Sequence, residues 1–484
     1  MSTKIIVLGA GVSGHTAALF AKKLMGNEAE IHVISPLPYY NWIPSNIWVG
    51  VGQMTEDQVK FPLAPVYLKE GIIFHQGKAI GLRPEGSDEF TSPHVIWEST
   101  DLNSPGMFNH GYDYLINATG PKLNFAATKG LGPSGFSLSV CTPDHALHAA
   151  NHLNDAILAM KKGERKRLVI GTGHGSCTCE GAAFEYVFNV DFELRRQGVR
   201  DLAEIIFLTN EATLGDFGVN GLQIKMGGYT TSSKIFAESL YAERNIKFIL
   251  GAHVREVQKN KLEYENLAGE VHFLDFDFAM LLPPFQGHML ETFNRKNEDI
   301  TTQLFNPGGF MKVDADYRPK DVADWAPEDW PKYYTNNLYE NIFAVGIAFA
   351  PPHQISIPRK NSLGTNITPA PPRTGMPSAT MGRVVAENIV KIIHGRVSEI
   401  KTASMADLSA ACIASTGSSL LTGSAVSMTM SPIVPNYTKY PESGRDLDAT
   451  FGEIGLAGHW IKRLLHSLFI YKAKAKLFWW IIPE

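Results

Sequence analysis

Two thiols flank a single threonine at the mouth of a glycine-rich turn. Leu168-Val169-Ile170-Gly171-Thr172-Gly173-His174-Gly175 runs directly into Ser176-Cys177-Thr178-Cys179-Glu180-Gly181. The first half reads as a strand and a dinucleotide turn, but Ser176 stands where the third glycine belongs. A thiol at a helix N-terminus is drawn toward its thiolate, the nucleophilic form. Thiols in place of a nicotinamide favour dithiol redox chemistry, with electrons arriving from sulfur rather than from NADH. The plainer alternatives are a buried inert cysteine and half of a zinc site. Zinc needs a second cysteine pair or histidines at matched spacing, and Cys141 and Cys412 are solitary. The reading therefore assigns no metal.

An earlier glycine turn is intact. Gly9-Ala10-Gly11-Val12-Ser13-Gly14 follows the apolar run Ile5–Leu8 and precedes a helical stretch, His15–Met25. Gly9 makes the tight turn, Gly11 lets the backbone approach a pyrophosphate, and Gly14 allows close packing of helix on strand. The helix start adds free amides and a positive dipole end. The second strand, Ile31–Ile34, ends in Ser35 rather than an acid, so ribose contact falls to a hydroxyl. Tyr112–Gly120, a strand closing on Ala118-Thr119-Gly120, and Asn341–Gly346 resemble the second and third FAD segments of two-dinucleotide-fold flavoproteins. FAD is therefore expected rather than NAD.

These turns need parallel strands beneath them. Apolar runs at 114–118, 168–170, 205–209, 247–250 and 342–345 alternate with helical stretches, which predicts an α/β fold. Two Rossmann-like dinucleotide-binding domains are expected: 1–120 with 280–395 for FAD, and 121–279 carrying the redox cysteines. With 484 residues, 44% hydrophobic and 19% charged, the chain is long enough for two or three globular domains. Forty-four basic against 48 acidic side chains give a net charge of −4, which speaks against nucleic acid as a partner. Four cysteines are too few for a disulfide scaffold. Seven prolines within 351–378 forbid a long helix there and predict a shaped loop.

The third expected region, 396–484, ends in a basic and aromatic tail. Lys462, Arg463, Lys472, Lys474 and Lys476 are interleaved with Trp460, Phe469, Tyr471, Phe478, Trp479 and Trp480. That composition predicts amphipathic helices lying in a membrane interface. The alternative is a helix packed on the protein with an exposed basic face. No apolar run reaches the roughly 18 residues of a spanning helix, and Met1–Lys4 enters the first strand without a signal-peptide pattern. A peripheral protein of the cytoplasmic membrane face is expected, with self-association left open.

The chain as a whole resembles the sulfide:quinone oxidoreductases, membrane-bound FAD enzymes of the two-dinucleotide-fold disulfide reductase class. The resemblance rests on PYYNWIPSNIWVGVG at 38–52, YLINATGPKLNF at 114–125, SVCTPDHA at 139–146 and CEGAAFEY at 179–186. It continues through NPGGFMKVD at 306–314, NIFAVGIA at 341–348 and PPRTGMP at 371–377. It implies that Cys179 and Cys412 are the redox pair, with Cys141 as the family's third cysteine. Hydrosulfide attacks their disulfide, and two electrons pass to FAD and then to a membrane quinone while sulfur leaves as polysulfide. It places Asn41, Gly346, Arg373 and Thr374 with the cofactor, and Phe349, Ile413 and Phe469 around the quinone. Glu185, six residues after Cys179, corresponds to a carboxylate that manages protons, against the plain reading of a solvated helix charge. His145 matches a family histidine, with a structural role as its alternative.

Four departures qualify the resemblance. Cys177 has no family counterpart and stands as an alternative partner for Cys412. Asp216 replaces a histidine, Arg373 replaces a lysine, and 353–370 exceeds the usual loop, which is expected to reshape the quinone pocket. A type II NADH:quinone oxidoreductase would need an intact nicotinamide turn. A flavocytochrome sulfide dehydrogenase would bring a haem motif, and a non-catalytic persulfide or redox sensor would lack turnover.

Overall fold

The computed structural model describes residues 2–178 and 180–484. Thr3–Leu8 (β1), Val12–Met25 (α1) and Ala29–Ser35 (β2) come first, then Ile73–Arg83 (β3), His94–Ser99 (β4), Met107–Gly111 (β5) and Tyr114–Asn117 (β6). A second group holds Pro143–Lys161 (α2), Lys166–Thr172 (β7), Glu180–Arg196 (α3), Ala203–Leu208 (β8), Lys247–Ile249 (β9) and Phe278–Leu282 (β10). The chain then adds Ile342–Ala344 (β11) and Gly375–Ile393 (α4). It closes with Ala410–Gly417 (β12), Ser424–Met430 (β13), Gly452–Gly455 (β14) and Leu456–Ala473 (α5).

The first sheet runs β11-β6-β1-β2-β3-β4-β5. Its first five strands are parallel and the last two antiparallel. Ile5, Ile6, Val7 and Leu8 are wholly buried, as a central parallel strand covered on both faces requires. Register sets the functional edge. Leu8 lies opposite both Ile34 and Asn117, and Asn117 lies opposite Ala344. Four strands thus finish abreast, and the loops leaving them share one crevice at the carboxyl edge, where ligands of open α/β sheets bind.

The second sheet, β9-β8-β7-β10, is entirely parallel. The expected mixed α/β fold with two Rossmann-like sheets is therefore present. Helices α1 and α4 pack so closely that a Cβ on Gly382 would lie 2.2 Å from the Ser13 carbonyl oxygen. A third, antiparallel sheet, β12-β13-β14, receives α3 against β12 and α5 against β13. Residues 351–374 contain no helix, as their prolines require. Among the described residues no helix is long and apolar enough to cross a membrane.

Candidate functional site: two glycine turns and a buried ion pair

The three glycines of the first turn have different surroundings. Gly9 has φ +96°, and a Cβ there would sit 2.3 Å from the Ala118 carbonyl oxygen. A Cβ on Gly14 would sit 2.1 Å from the Gly9 carbonyl oxygen, so both outer glycines are fixed by packing. Gly11 has no atom within 4 Å of its Cβ position, which leaves an open edge of backbone. Ala10 is buried beneath it. Helix α1 starts behind Gly11 and α4 behind Thr374, and neither start is capped by a side chain. Two helix ends therefore offer uncapped amides to an anion.

The neighbouring loops complete the crevice. Thr119 Oγ1 donates to Asn117 Oδ1 at 2.8 Å, and Gly120 follows with φ +70° and open space beside it. Gly346 has φ +64° and sits against Ser13, where a Cβ would come within 2.5 Å of the hydroxyl. Ser35 is buried at the end of β2. Asn41 Nδ2 donates to Asn46 Oδ1 at 2.9 Å. Arg373 donates to the carbonyls of Ile347 (2.6 Å) and Phe349 (3.0 Å), and its guanidinium lies 4.6 Å from the Phe310 ring centroid. An open glycine edge between two uncapped helix starts, at the carboxyl ends of parallel strands, fits a dinucleotide such as FAD.

The second glycine turn is closed. A Cβ on Gly173 would meet Leu131 at 2.5 Å, and one on Gly175 would meet the Asn366 carbonyl oxygen at 2.3 Å. The proline-rich loop is tied down along this edge. Thr368 N donates to Gly175 O at 2.8 Å, Ala370 N to Cys177 O at 2.9 Å, and Thr178 Oγ1 to Pro371 O at 3.0 Å. Asn366 Nδ2 reaches Ser176 Oγ at 3.2 Å, so the residue replacing the third glycine helps hold the loop. The long loop thus fills the edge from which a pyrophosphate would approach.

Cys177 is buried, and its thiol donates to the Leu282 carbonyl at 3.1 Å. Burial, reinforced by nearby Glu180, pushes this thiol well above its ordinary range. The lowering expected from a helix start does not reach it, because Cys177 lies before α3 in an apolar setting. Cys141 is half-buried just before α2, and burial pushes its thiol up to about 11. Cys179 lies outside the described residues. Cys412 is half-buried on β12 opposite Met428, and its thiol is raised by burial and by Glu185 but pulled back by Lys462.

Glu185 is buried on α3, which overturns the solvated-charge reading. Its carboxylate accepts from Lys462 Nζ, which also donates to Ile413 O at 2.7 Å. Burial raises the Glu185 carboxyl while Lys462 opposes that rise. One turn on, Asn189 Nδ2 donates to Ser415 O at 2.7 Å, and Ser415 Oγ accepts from Trp48 Nε1 at 3.1 Å. These bonds fix α3 against β12. Two of the tail's five basic residues depart from the expected polar face: Lys462 and Lys472 are buried. Lys472 pairs with Glu484 at 2.6 Å. Lysines so placed are paired because an isolated buried ammonium is costly.

Sequence reasoning missed a carboxyl cluster behind Cys177. Glu180 is buried, and neither carboxyl oxygen finds a hydrogen-bond partner among the described residues. Burial and neighbouring Glu211 push it well above the carboxylate range. Glu211 is itself raised to about 7 by burial, although its oxygens accept from Thr209 Oγ1 (3.0 Å) and Phe217 N (2.9 Å). Asp216 is half-buried and accepts from Ser356 Oγ. His145 is half-buried, with Nδ1 unpartnered among the described residues and its ring edge-on to Phe125. The three residues expected around quinone sit in separate contacts. Phe349 packs on Tyr334 at 5.1 Å, Ile413 serves Lys462, and Phe469 stacks on Trp42 at 4.8 Å.

Comparison with known proteins shows the family of this chain. Residues 3–318 match the model of the pyridine nucleotide-disulphide oxidoreductases. A sulfide-quinone reductase of Aquifex aeolicus is 31% identical over 418 residues, covering 86% of this chain and 82% of that protein. The crystal structure of the Aquifex aeolicus sulfide:quinone oxidoreductase superposes with a TM-score of 0.74 at 28% identity, over 98% of this chain and 92% of the other. A Plasmodium falciparum NDH2 structure shares the fold, with a TM-score of 0.64 at 12% identity over 99% and 97% of the two chains.

Proposed function

We propose that this chain, which belongs to the sulfide:quinone oxidoreductase family of pyridine nucleotide-disulphide oxidoreductases, oxidises sulfide and reduces a quinone. The observation that carries the reading is the contrast between the turns: Gly11 is open to a dinucleotide, whereas its counterpart Gly173 is packed against Leu131 and the adjoining Gly175 is covered by the chain's own loop. That contrast supports one resident flavin and disfavours a nicotinamide donor.

The flavin is FAD in this reading, held by Gly9, Ala10, Gly11, Gly14, Ser35, Asn41, Ala118, Thr119, Gly120, Gly346, Arg373 and Thr374. When bound, it supplies a two-electron carrier between the thiols and the quinone. Cys179 and Cys412 form the redox pair. Hydrosulfide bonds to one sulfur of their disulfide, the S–S bond breaks, and a persulfide and a thiolate remain. The Lys462 ammonium, held against Ile413 O, supplies positive charge where the Cys412 thiolate forms. Glu185 keeps that ammonium in place. The covered second turn keeps the thiol region free of a competing dinucleotide.

The tail supports quinone access from a membrane surface. Trp460, Ile461 and Leu464 on α5, with Leu477, Phe478 and Ile481 beyond it, are exposed apolar side chains. Their other neighbours dock on the protein: Trp479 is buried edge-on to Phe20, and His15 Nε2 meets Ala473 O at 2.7 Å. An interfacial helix so arranged lies in the headgroup layer.

The test is steady-state reduction of decylubiquinone by the flavin-loaded protein under anaerobic conditions. Sulfide as donor sustains turnover and NADH does not. Turnover with NADH and none with sulfide would overturn the assignment. Flotation with anionic liposomes tests the tail: wild type floats, and Trp460→Glu/Leu464→Glu stays behind.

A further inference from the structure

We propose that His32, His75 and His110 form a binding site for a first-row divalent cation, of which zinc is the simplest representative, on one face of the first sheet. The three residues are far apart in sequence, and pairing brings them together. Ile34 lies opposite His75 on β3, and His32 stands two residues earlier on β2, so both rings leave the same face. His110 arrives on β5 through β4, opposite Val95. One ligand nitrogen from each ring lies within 4.8 Å of the other two. His32 Nδ1 and His75 Nε2 are 3.0 Å apart, and the His75 and His110 ring centroids 4.4 Å apart.

Two details favour a cation over a plain hydrogen-bonded cluster. His32 is 93% buried, yet among the described residues its Nε2 has no hydrogen-bond partner, and it faces Glu30 Oε2 at 3.5 Å. With Nδ1 turned to a cation, Nε2–H faces a carboxylate, the outer arrangement that orients metal-bound histidines. His75 and His110 are only half-buried, which leaves a path of entry. Imidazole suits zinc, copper and nickel, and three such ligands leave a fourth position for water. Lys4, 4.0 Å from Glu30, is the nearby opposing charge.

One bond must yield. Trp97 Nε1 donates to His110 Nδ1 at 3.1 Å. Ligation through Nδ1 uses that lone pair, and ligation through Nε2 puts the ring proton on Nδ1, facing the indole N–H. Either way the Trp97 bond is lost. Removing the indole N–H should therefore tighten the site.

The test is calorimetric titration of the chelator-treated, flavin-loaded protein with Zn²⁺. One equivalent is expected in wild type and in Cys412→Ala. It weakens at least about tenfold in His75→Ala and in His110→Ala, and about 10–100-fold in Glu30→Gln. Trp97→Phe binds several-fold tighter, which also decides the matter if the histidine variants fail to fold. No saturable equivalent in wild type, an equivalent that survives both histidine changes, or one lost in Cys412→Ala overturns the proposal, as does unchanged affinity in Trp97→Phe.

Discussion

Lys462 Nζ donates both to the Glu185 carboxylate and to the carbonyl of Ile413, the residue that follows Cys412, across 277 positions of chain between the ionic partners. One ammonium on the C-terminal helix therefore joins α3 to the strand that carries Cys412. Breaking one side of a buried pair costs about 3–5 kcal/mol, because the other charge is left uncompensated. Lys462→Met should lose stability of that order in denaturant unfolding of the flavin-loaded protein. The double variant Glu185→Gln/Lys462→Met should recover most of it. Equal instability of single and double variants would contradict the pairing.

The same pair tunes a thiol. Burial and Glu185 raise Cys412, and Lys462 lowers it. Thiolate is the reactive form, so alkylation accelerates as pH rises through the thiol's pKa. Iodoacetamide labelling of Cys412 in the reduced protein, read by peptide mass spectrometry, should have its midpoint above that of free cysteine. Lys462→Met should move the midpoint further up and Glu185→Gln should move it down. Movement in the reverse directions would contradict the electrostatic assignment.

Two glycines of one turn should fail differently. At Gly11 the Cβ position is clear of protein atoms, whereas at Gly14 it lies 2.1 Å from the Gly9 carbonyl oxygen. Gly11→Ala should fold normally and lose flavin, seen as a lower visible-to-ultraviolet absorbance ratio beside an unchanged far-ultraviolet dichroism spectrum. Gly14→Ala should lose fold and flavin together. Full flavin occupancy in Gly11→Ala would remove the cofactor from this edge.

Much of this was legible in the sequence, and the limits have physical causes. The spacing of Gly9, Gly11 and Gly14 between strand and helix is local, and local patterns survive folding. Ser176 in place of a third glycine marked the second turn as altered. That Asn366 and Thr368 close it was not readable, because nothing in a proline-rich loop announces where it docks. Lys462 and Lys472 were counted as surface charge because composition cannot show which lysine meets a buried acid. The histidine cluster escaped for a similar reason: strand order, not spacing, gathers it.

The carboxyl cluster gives a pH-dependent stability. Glu211 goes from 4.5 to about 7 on folding, so the native state holds a proton that the unfolded chain releases. Its contribution is full below pH 4.5, falls as pH rises toward 7, and is lost above. The shift corresponds to about 3 kcal/mol at 1.36 kcal/mol per unit. Glu211→Gln should therefore gain stability relative to wild type between pH 5 and pH 8, measured by denaturant unfolding at both. A difference independent of pH would contradict the assignment.

The most direct measurement is anaerobic rapid mixing of the flavin-loaded protein with sulfide, followed by decylubiquinone, while the flavin absorbance band is monitored. Sulfide should bleach the band and quinone should restore it. In Cys412→Ala and Cys179→Ala, with flavin still bound, sulfide should leave the band unchanged. Bleaching by sulfide at the wild-type rate in both variants, or bleaching by NADH alone, would contradict a route from sulfide through these thiols to the flavin.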